Sequence, residues 1–290
     1  MKSNTTVGFV GLGAMGRGSA KTLIDKGFEV AGYDIRAEGV EWMRVNGGRP
    51  ANTLAELAGQ AHIIVSYVVN AEQTESALFG NEGLTHHMKA GAVFISCSTL
   101  DPAYVDDLAK RLADLSIQLI DAPVTGGAAG AANGTLTIMG SGQPEPFEQV
   151  RPVLEGMSKK VHYLGPAGSG TRMKMINQLL VGANLAAAAE AIGFAKHIGV
   201  PLETALDILS SGAADSWMLR SRGPRMVSDH FDQVEGAVDL FVKDLSIVLD
   251  AANKTQFRSS MAQCAHQSCL DASKRGDGSK DCGAIVSNYR

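Results

Sequence analysis

Short apolar segments alternate with segments of helical periodicity over the first 165 residues. Strands are predicted at 6–13, 28–34, 61–69, 92–98, 117–124, 134–142 and 159–166. Helical spacing of apolar residues occurs between them, at 14–27, 53–60 and 102–115. Strands that are apolar at nearly every position are typical of a parallel sheet covered by helices on both faces. The pattern predicts an α/β domain, with a doubly wound and mostly parallel sheet, over residues 1–165.

The pattern changes after residue 165. From residue 173 onward helical periodicity dominates, and further helices are predicted within 203–219, 237–255 and 259–275. Glycines and a proline at 165–170 favour a hinge between the two halves. We therefore expect a second, all-α domain over residues 166–290.

Composition and charge narrow the class of protein. The chain has 290 residues, enough for two domains, with 45% hydrophobic and 19% charged residues, which indicates a globular protein. Its net charge of −4 gives no basic field of the kind that nucleic-acid-binding proteins carry. We expect no nucleic-acid partner.

The longest apolar stretch, 179–195, is rich in alanine and contains Asn184 and Glu190. We interpret it as a buried helix rather than a membrane span, because a span needs about 18 or more predominantly apolar residues. The beginning of the chain lacks the pattern of a secretory signal. A cytoplasmic protein without a membrane partner is expected.

The cysteines give no sign of a metal site. Their spacing forms neither a CxxC pair nor a Cys/His pattern typical of zinc. Free thiols in a reducing compartment are expected. The residues are Cys97, Cys264, Cys269 and Cys282.

The first predicted strand leads into a glycine-rich turn, Gly11, Gly13 and Gly16, and the second strand ends in Asp34. G-x-G-x-x-G between a strand and a helix, with an acid eighteen residues later (34 − 16), indicates dinucleotide binding. The glycines allow a tight turn and close approach of the pyrophosphate to the helix N-terminus. Asp34 suits the ribose diol of NAD, although Arg36 could hold the 2′-phosphate of NADP. A purely structural glycine turn is the alternative. The expected cofactor-binding residues here are Gly11, Leu12, Gly13, Ala14, Met15, Gly16 and Asp34.

Polar and small residues follow three later strands. In an open parallel sheet, ligands bind beyond the carboxyl ends of the strands. A run of glycines beside a threonine exposes backbone N–H groups that suit a carboxylate, although flexible loops have the same composition. The segments are Val68, Val69 and Asn70; Ser98 and Thr99; and Thr125, Gly126 and Gly127.

A lysine lies near the start of the long apolar helix. Lys174 stands among Met173, Met175 and Ile176, and we expect these neighbours to bury it. An amine in water has a pKa near 10.4, whereas burial disfavours the charged form and lowers that pKa, which suits a general base. The alternative is a lysine whose amine reaches solvent.

Further polar residues could complete a site with Lys174. Asn177 and Gln178 follow it by three and four residues, so all three can share one helix face. Lys243, with Asp244, is a second candidate: it would lie at the nicotinamide end of the cofactor or form a surface pair of little energetic value.

The motifs taken together resemble a known family, the β-hydroxyacid dehydrogenases, to which 3-hydroxyisobutyrate dehydrogenase belongs. The resemblance covers roughly residues 5–255. Its motifs are GFVGLGAMG, STLDP, DAPVTGGAAGAANGTLTIMGSG, GSGTRMKMINQLL and VKDLSIVLDAA, in that order. It implies a nicotinamide-binding Rossmann domain followed by a helical domain that takes part in the active site and in subunit contacts.

The resemblance also implies roles for individual residues. Lys174 falls on the family's catalytic lysine, Thr99 on its cofactor-side threonine, and Lys243 on a lysine of the cofactor site. Thr125, Gly126 and Gly127 fall on its substrate-binding loop. Asn177 matches an asparagine of the substrate site, whereas Gln178 stands where the family has a second asparagine. The chain departs from the family pattern after about Thr255.

The implied activity is NAD-dependent oxidation of a small hydroxy acid by a homo-oligomer, a dimer or a tetramer. Within the family, the segments SYVVNAEQTE, KMINQLLVGANLAAAAEA and GAADSWM resemble those of members that act on L-threonate. This resemblance implies oxidation of L-threonate at C2 to 2-dehydro-L-erythronate. Oxidation of 3-hydroxyisobutyrate and reduction of tartronate semialdehyde (2-hydroxy-3-oxopropionate) are the alternatives within the family. A more distant alternative is a sensor that binds the dinucleotide without catalysis.

Overall fold

A computed structural model describes residues 6–289 of the chain. The chain forms two compact units, which we call the Rossmann unit, Met1–Lys174, and the helical unit, Met175–Arg290. The functional boundary between residues 165 and 166 remains a prediction. Each unit is described separately below.

The Rossmann unit contains a nine-stranded sheet in the order β3-β2-β1-β4-β5-β6-β8-β7, with β9 paired to β8. The strands from β3 to β6 are parallel, β8 runs antiparallel to β6 and β7, and β9 is parallel to β8. The predicted fold class is therefore confirmed. The strands are β1 Val7–Val10, β2 Val30–Tyr33, β3 Arg49–Pro50, β4 Ile63–Ser66, β5 Val93–Ser96, β6 Gln118–Asp121, β7 Val124–Thr125, β8 Leu136–Gly142 and β9 Ser158–Tyr163.

Helices connect these strands, and polar residues define where several of them begin. The side chains of Thr53 and Asn70 each accept a hydrogen bond from the backbone N–H three residues later. Asp101, which directly precedes a proline, accepts one from the backbone N–H of Ala103. These caps fix how the chain leaves the sheet. The helices are α1 Ala14–Asp25, α2 Ala37–Val45, α3 Leu54–Gln60, α4 Ala71–Phe79, α5 Pro102–Asp114, α6 Gly127–Ala132 and α7 Pro144–Met157.

Both faces of the parallel sheet are buried, which explains why its strands are apolar at consecutive positions. Every residue of β1, β4 and β5 is buried. Successive side chains point to opposite faces, so Val65 and Ile95 join one core cluster and Ile64 and Phe94 join the other. A strand buried on one face only would alternate with polar residues.

The second half is helical, as predicted, and its described residues contain no extended strand. The long helix α8 begins within the Rossmann unit and continues into the helical unit. The elements are α8 Ser169–His197, α9 Leu202–Ser210, α10 Trp217–Ser228, α11 Val238–Lys254 and α12 Ser260–Ala272, followed by a short π-helical turn at Ser273–Asp277 and a 3₁₀ segment at Cys282–Tyr289.

Helix α8 lies in the core of the helical unit. Leu185 and Ile192 pack in one cluster with Leu245 of α11, and a side chain at Gly182 would come within 2.8 Å of that leucine. Among the described residues, α8 is the one helix whose length and composition would allow it to cross a membrane. Half of its apolar window is buried inside the protein.

The C-terminal segment is held by a buried ionic cluster. Asp281 is completely buried and accepts a hydrogen bond from Arg225 Nη1 at 2.9 Å, while Arg222 Nε lies 3.3 Å from its other oxygen. The backbone N–H groups of Glu235 and Gly283 also donate to this carboxylate, each at 3.1 Å. The cluster ties the residues after α12 to the segment that precedes α11.

Replacing Asp281 by alanine should destabilise the helical unit strongly. Breaking a buried ion pair by removing one partner costs about 3–5 kcal/mol, because the remaining charges stay buried. Urea titration followed by circular dichroism would show the loss as a lower midpoint. Asp25→Ala, which removes an exposed i,i+4 pair with Lys21, is the control and should leave the midpoint nearly unchanged. Equal effects from the two variants would contradict a structural role for the cluster.

Candidate active site

The glycine-rich turn after β1 has the geometry that its sequence predicts. Gly11 adopts φ +87°, and a side chain there would lie 2.9 Å from the carbonyl oxygen of Tyr67. A side chain at Gly16 would meet the carbonyl oxygen of Gly11 at 1.9 Å, so both positions require glycine. Gly13 faces open space, with no atom nearer than Arg36 Nη2 at 3.9 Å. The turn therefore leaves room at Gly13 and the start of α1 for a pyrophosphate group.

Asp34, at the end of β2, is held against this turn. Its Oδ2 accepts a hydrogen bond from the backbone N–H of Leu12 at 2.7 Å, and its Oδ1 accepts from the backbone N–H and Nε of Arg36 at 2.9 and 3.1 Å. Burial raises the pKa of Asp34, but the bonds from Arg36 and Leu12 outweigh that effect and keep the pKa below its ordinary value. A charged carboxylate beside the glycine turn fits the ribose diol of the cofactor.

The segments after β4 and β5 meet at the same edge of the sheet. Ser98 Oγ donates to the carbonyl oxygen of Val68 at 2.6 Å, and Thr99 beside it is half-buried. Val69 is 48% exposed, and its backbone N–H donates to the side-chain oxygen of Gln73, in the first turn of α4. The side-chain oxygen of Asn70 caps α4 at 2.9 Å, so its position at the site follows from helix capping.

The Thr125–Gly127 loop lies next to the glycine-turn helix. Gly126 and Gly127 both have positive φ, +125° and +64°, and no atom stands within 4 Å of where a side chain of Gly127 would begin. Helix α6, which begins at Gly127, packs tightly on α1: a side chain at Gly18 would lie 2.7 Å from the backbone of α6. Thr22 Oγ1 of α1 also donates to Ala131 at 3.0 Å. The structure thus brings the predicted cofactor loop and the predicted carboxylate loop together within one unit.

Lys174 is buried, but not by the neighbours that the sequence suggested. Its side chain is 8% exposed, and Nζ donates to the carbonyl oxygen of Val124 at 2.9 Å. Met173 and Ile176 are instead 40% and 62% exposed, and Met175 is half-buried, so the expectation that all three bury the lysine is wrong. Adjacent residues on a helix point in different directions, whereas residues three or four apart share a face. Lys174 lies on the buried face of α8 together with Thr171.

Gln178 and Lys243 of the helical unit both contact one buried carboxylate. Gln178 Nε2 donates to Asp244 Oδ2 at 2.6 Å, and Lys243 Nζ lies 2.7 Å from Asp244 Oδ1. Asp244 is 4% exposed, so the alternative of a surface pair between Lys243 and Asp244 is wrong. Asn177, beside Gln178 on α8, is half-buried. This carboxylate orients the amide of Gln178 and the amine of Lys243.

Nothing within residues 6–289 groups three or more side chains in a way that could hold a metal ion. The cysteines are all free thiols. Cys97 follows β5 at the edge of the sheet where the predicted site residues gather, and burial raises the pKa of its thiol to about 12. The thiol therefore stays protonated at neutral pH.

Sequence reasoning missed a set of buried polar contacts near Lys174. Asp121, at the end of β6, is bonded to Ser141 and Thr171, and all three side chains are completely buried. The one signal in the sequence is an acidic residue at the end of an otherwise apolar strand. Its partners lie 20 and 50 residues away, so their contact could not be inferred from local spacing.

Two family models match the chain over nearly its whole length. Residues 6–165 match the NAD binding domain of 6-phosphogluconate dehydrogenase. Residues 168–289 match the model described as the NAD-binding domain of NADP-dependent 3-hydroxyisobutyrate dehydrogenase. The two models together cover the Rossmann fold and the helical region.

Curated relatives and a solved structure agree with these matches. The chain is 40% identical to L-threonate dehydrogenase of Cupriavidus necator, over 97% of this chain and 94% of the relative. It is 36% identical to L-threonate dehydrogenase of Escherichia coli K12, over 97% of this chain and 93% of that one. The crystal structure of 3-hydroxyisobutyrate dehydrogenase from Salmonella typhimurium superposes with a TM-score of 0.93 at 35% identity, covering 98% of this chain and 99% of the other. The chain therefore belongs to the NAD(P)-dependent β-hydroxyacid dehydrogenases.

Proposed function

We propose that this protein oxidises a small hydroxy acid, foremost L-threonate, with NAD as the hydride acceptor. The observation that carries the proposal is the buried amine of Lys174, held 2.9 Å from the Val124 carbonyl oxygen at the start of the Thr125–Gly127 loop. The curated relatives named L-threonate dehydrogenase support the choice of substrate. The product would be 2-dehydro-L-erythronate.

Oxidation of the alcohol requires a hydride acceptor, a proton acceptor and a binding site for the carboxylate, and the chain offers residues for each role. A bound nicotinamide would supply the hydride acceptor for the carbon that carries the hydroxyl group. Lys174, in its neutral form, accepts the hydroxyl proton at Nζ, and a general base of this kind contributes about 10²- to 10⁴-fold in rate. The Thr125–Gly127 loop binds the substrate carboxylate through its backbone N–H groups and the threonine hydroxyl.

Two amide side chains on α8 would bind the substrate hydroxyl groups. Asn177 and Gln178 follow Lys174 within about one helical turn. Because the nitrogen of Gln178 donates to Asp244, its carbonyl oxygen is the end that can accept a hydrogen bond from the substrate. Lys243, held by the same aspartate, is assigned to the cofactor.

The preference for NAD follows from the charge of Asp34. A carboxylate with a lowered pKa stays ionised at neutral pH, accepts hydrogen bonds from the ribose diol and repels an added 2′-phosphate. Arg36 is paired with this carboxylate rather than set apart for a phosphate. The other cofactor-binding residues are proposed to be Gly11 to Gly16, Val68, Val69, Asn70 and Thr99.

A homo-oligomer, a dimer or a tetramer, is also proposed. Ile176, Leu180 and Phe194 are each more than half exposed, and their spacing places them along one face of α8. Ile198, the residue after the end of α8, is also more than half exposed. An apolar stripe of this kind is typical of a surface that a partner covers. A cytoplasmic location is proposed as well, because the cysteines are all free thiols.

A substrate panel tests the proposed activity. We expect NADH formation with L-threonate at a higher kcat/KM than with D-glycerate or 3-hydroxyisobutyrate, and a lower kcat/KM with NADP than with NAD. Absorbance at the NADH band measures each reaction. The solved structure named 3-hydroxyisobutyrate dehydrogenase makes that acid the second candidate. Turnover of it without turnover of L-threonate would make the substrate assignment wrong, and binding of NAD without turnover of any acid would favour the sensor.

Lys174→Ala should abolish most of the turnover while leaving NAD binding nearly intact. Loss of a general base is expected to lower kcat by about 10²- to 10⁴-fold. Steady-state kinetics and calorimetric titration with NAD would measure the two effects. Lys196→Ala, an exposed lysine on the same helix, is the matched control. Unchanged turnover in Lys174→Ala would remove this lysine from the mechanism.

Phe194→Glu together with Ile198→Glu should dissociate the oligomer. Charged groups placed on an apolar interface would be buried without partners, which is strongly unfavourable. Light scattering coupled to size-exclusion chromatography would report the mass of the wild type and the variant. Lys254→Glu, on α11, serves as a charge-changing control. A monomeric wild type would refute the oligomer, and an unchanged mass in the variant would exclude this face as its interface.

A further inference from the structure

A buried carboxylate holds the first turn of α8. Thr171 donates its backbone N–H to Asp121 Oδ2 at 2.9 Å and its hydroxyl to Oδ1 at 2.8 Å. Ser141 Oγ donates to Oδ2 at 3.0 Å and accepts the N–H of Gly170 at 2.9 Å. Burial raises the pKa of Asp121, and hydrogen bonds from Thr171, Ser141 and Gly168 oppose that rise.

The same turn of helix is held a second time by Lys174. This lysine follows Thr171 by three residues, and its acceptor Val124 follows Asp121 by three residues. Residues three apart share one helix face, so the two contacts run side by side between α8 and the segment after β6. The contact between Asp121 and Thr171 thus lies within one helical turn of the lysine.

Close packing against β8 also restricts the position of the first turn of α8. A side chain at Gly170 would lie 2.2 Å from the carbonyl oxygen of Met139, so the helix backbone runs directly against β8. By contrast, the nearby pair between Arg172 and Asp106, at 2.6 Å, is solvent-exposed on both sides. The buried contact therefore constrains the helix, whereas the exposed pair adds little.

We propose that Asp121 is a positioning residue that acts through Thr171 to hold the amine of Lys174 in place. The proposal rests on the role proposed for Lys174. A helix start that needed only a cap could use a serine or threonine, which avoids burying a charge. A bidentate carboxylate fixes both the N–H and the side chain of Thr171, and so fixes the rotation of the helix as well as its end.

Substitutions at Thr171 test this contact with little change in shape. Thr171→Val removes the hydroxyl donor, and we expect kcat to fall by about 10-fold with the KM values within about twofold, since misplacement by 1 Å can cost about 10²-fold. Thr171→Ser keeps the hydroxyl and should restore kcat to within about threefold of the wild type. Asp106→Asn, which weakens the exposed pair, is the control and should leave kcat unchanged.

A second measurement needs no substrate. Brief acetylation followed by mass spectrometry reports how readily the Lys174 amine reacts, and we expect at least about a threefold change in Thr171→Val but none in Thr171→Ser or Asp106→Asn. Unchanged kcat and unchanged reactivity in a folded Thr171→Val would overturn the proposal. If the wild type oxidises none of the acids, the proposed function fails, and the acetylation result alone then decides whether Asp121 positions the lysine.

Discussion

The hydrogen-bonded contact between the end of β6 and the first turn of α8 is the constraint on which the rest of the site depends. A lysine side chain has many rotamers, and fixing it costs roughly 2 kcal/mol of conformational entropy. Here Asp121 holds the start of the helix that carries Lys174 through Thr171, and the lysine amine donates to the Val124 carbonyl oxygen. The buried carboxylate, the helix start and the basic group form one continuous arrangement within the Rossmann unit.

The parallel sheet explains why the predicted cofactor-binding residues of the Rossmann unit lie along one edge. Strands β1, β2, β4, β5 and β6 are parallel, so the segments that follow them leave at one edge. The strand order reverses between β1 and β4, and that switch point is where open α/β sheets bind their ligands. At this switch point Gly11, which follows β1, has a positive φ, and the chain there passes close to the backbone at the end of β4.

The sequence predicted the features that depend on local pattern. Long apolar runs identified the parallel strands, while the two-residue strands β3 and β7 carry too little periodicity to be recognised separately. Lys174 was found from its unusual place in an apolar helix, yet the cause of its burial was misjudged, because sequence neighbours on a helix face different directions. The partners of Asp121, Gln178 and Asp281 lie far away in sequence, so they depend on tertiary packing.

Gln178 shows how a departure from the family pattern can be accommodated physically. Glutamine has one methylene more than asparagine, and its nitrogen reaches Asp244 on α11 at 2.6 Å. Asp244 is buried and would be costly without partners, so Gln178 and Lys243 together stabilise its charge. An ionised carboxylate can only accept hydrogen bonds, so Asp244 binds the nitrogen of the Gln178 amide and leaves its oxygen available to other donors. The longer side chain thus keeps an amide oxygen in a defined orientation, as the substrate-binding role proposed for Gln178 requires.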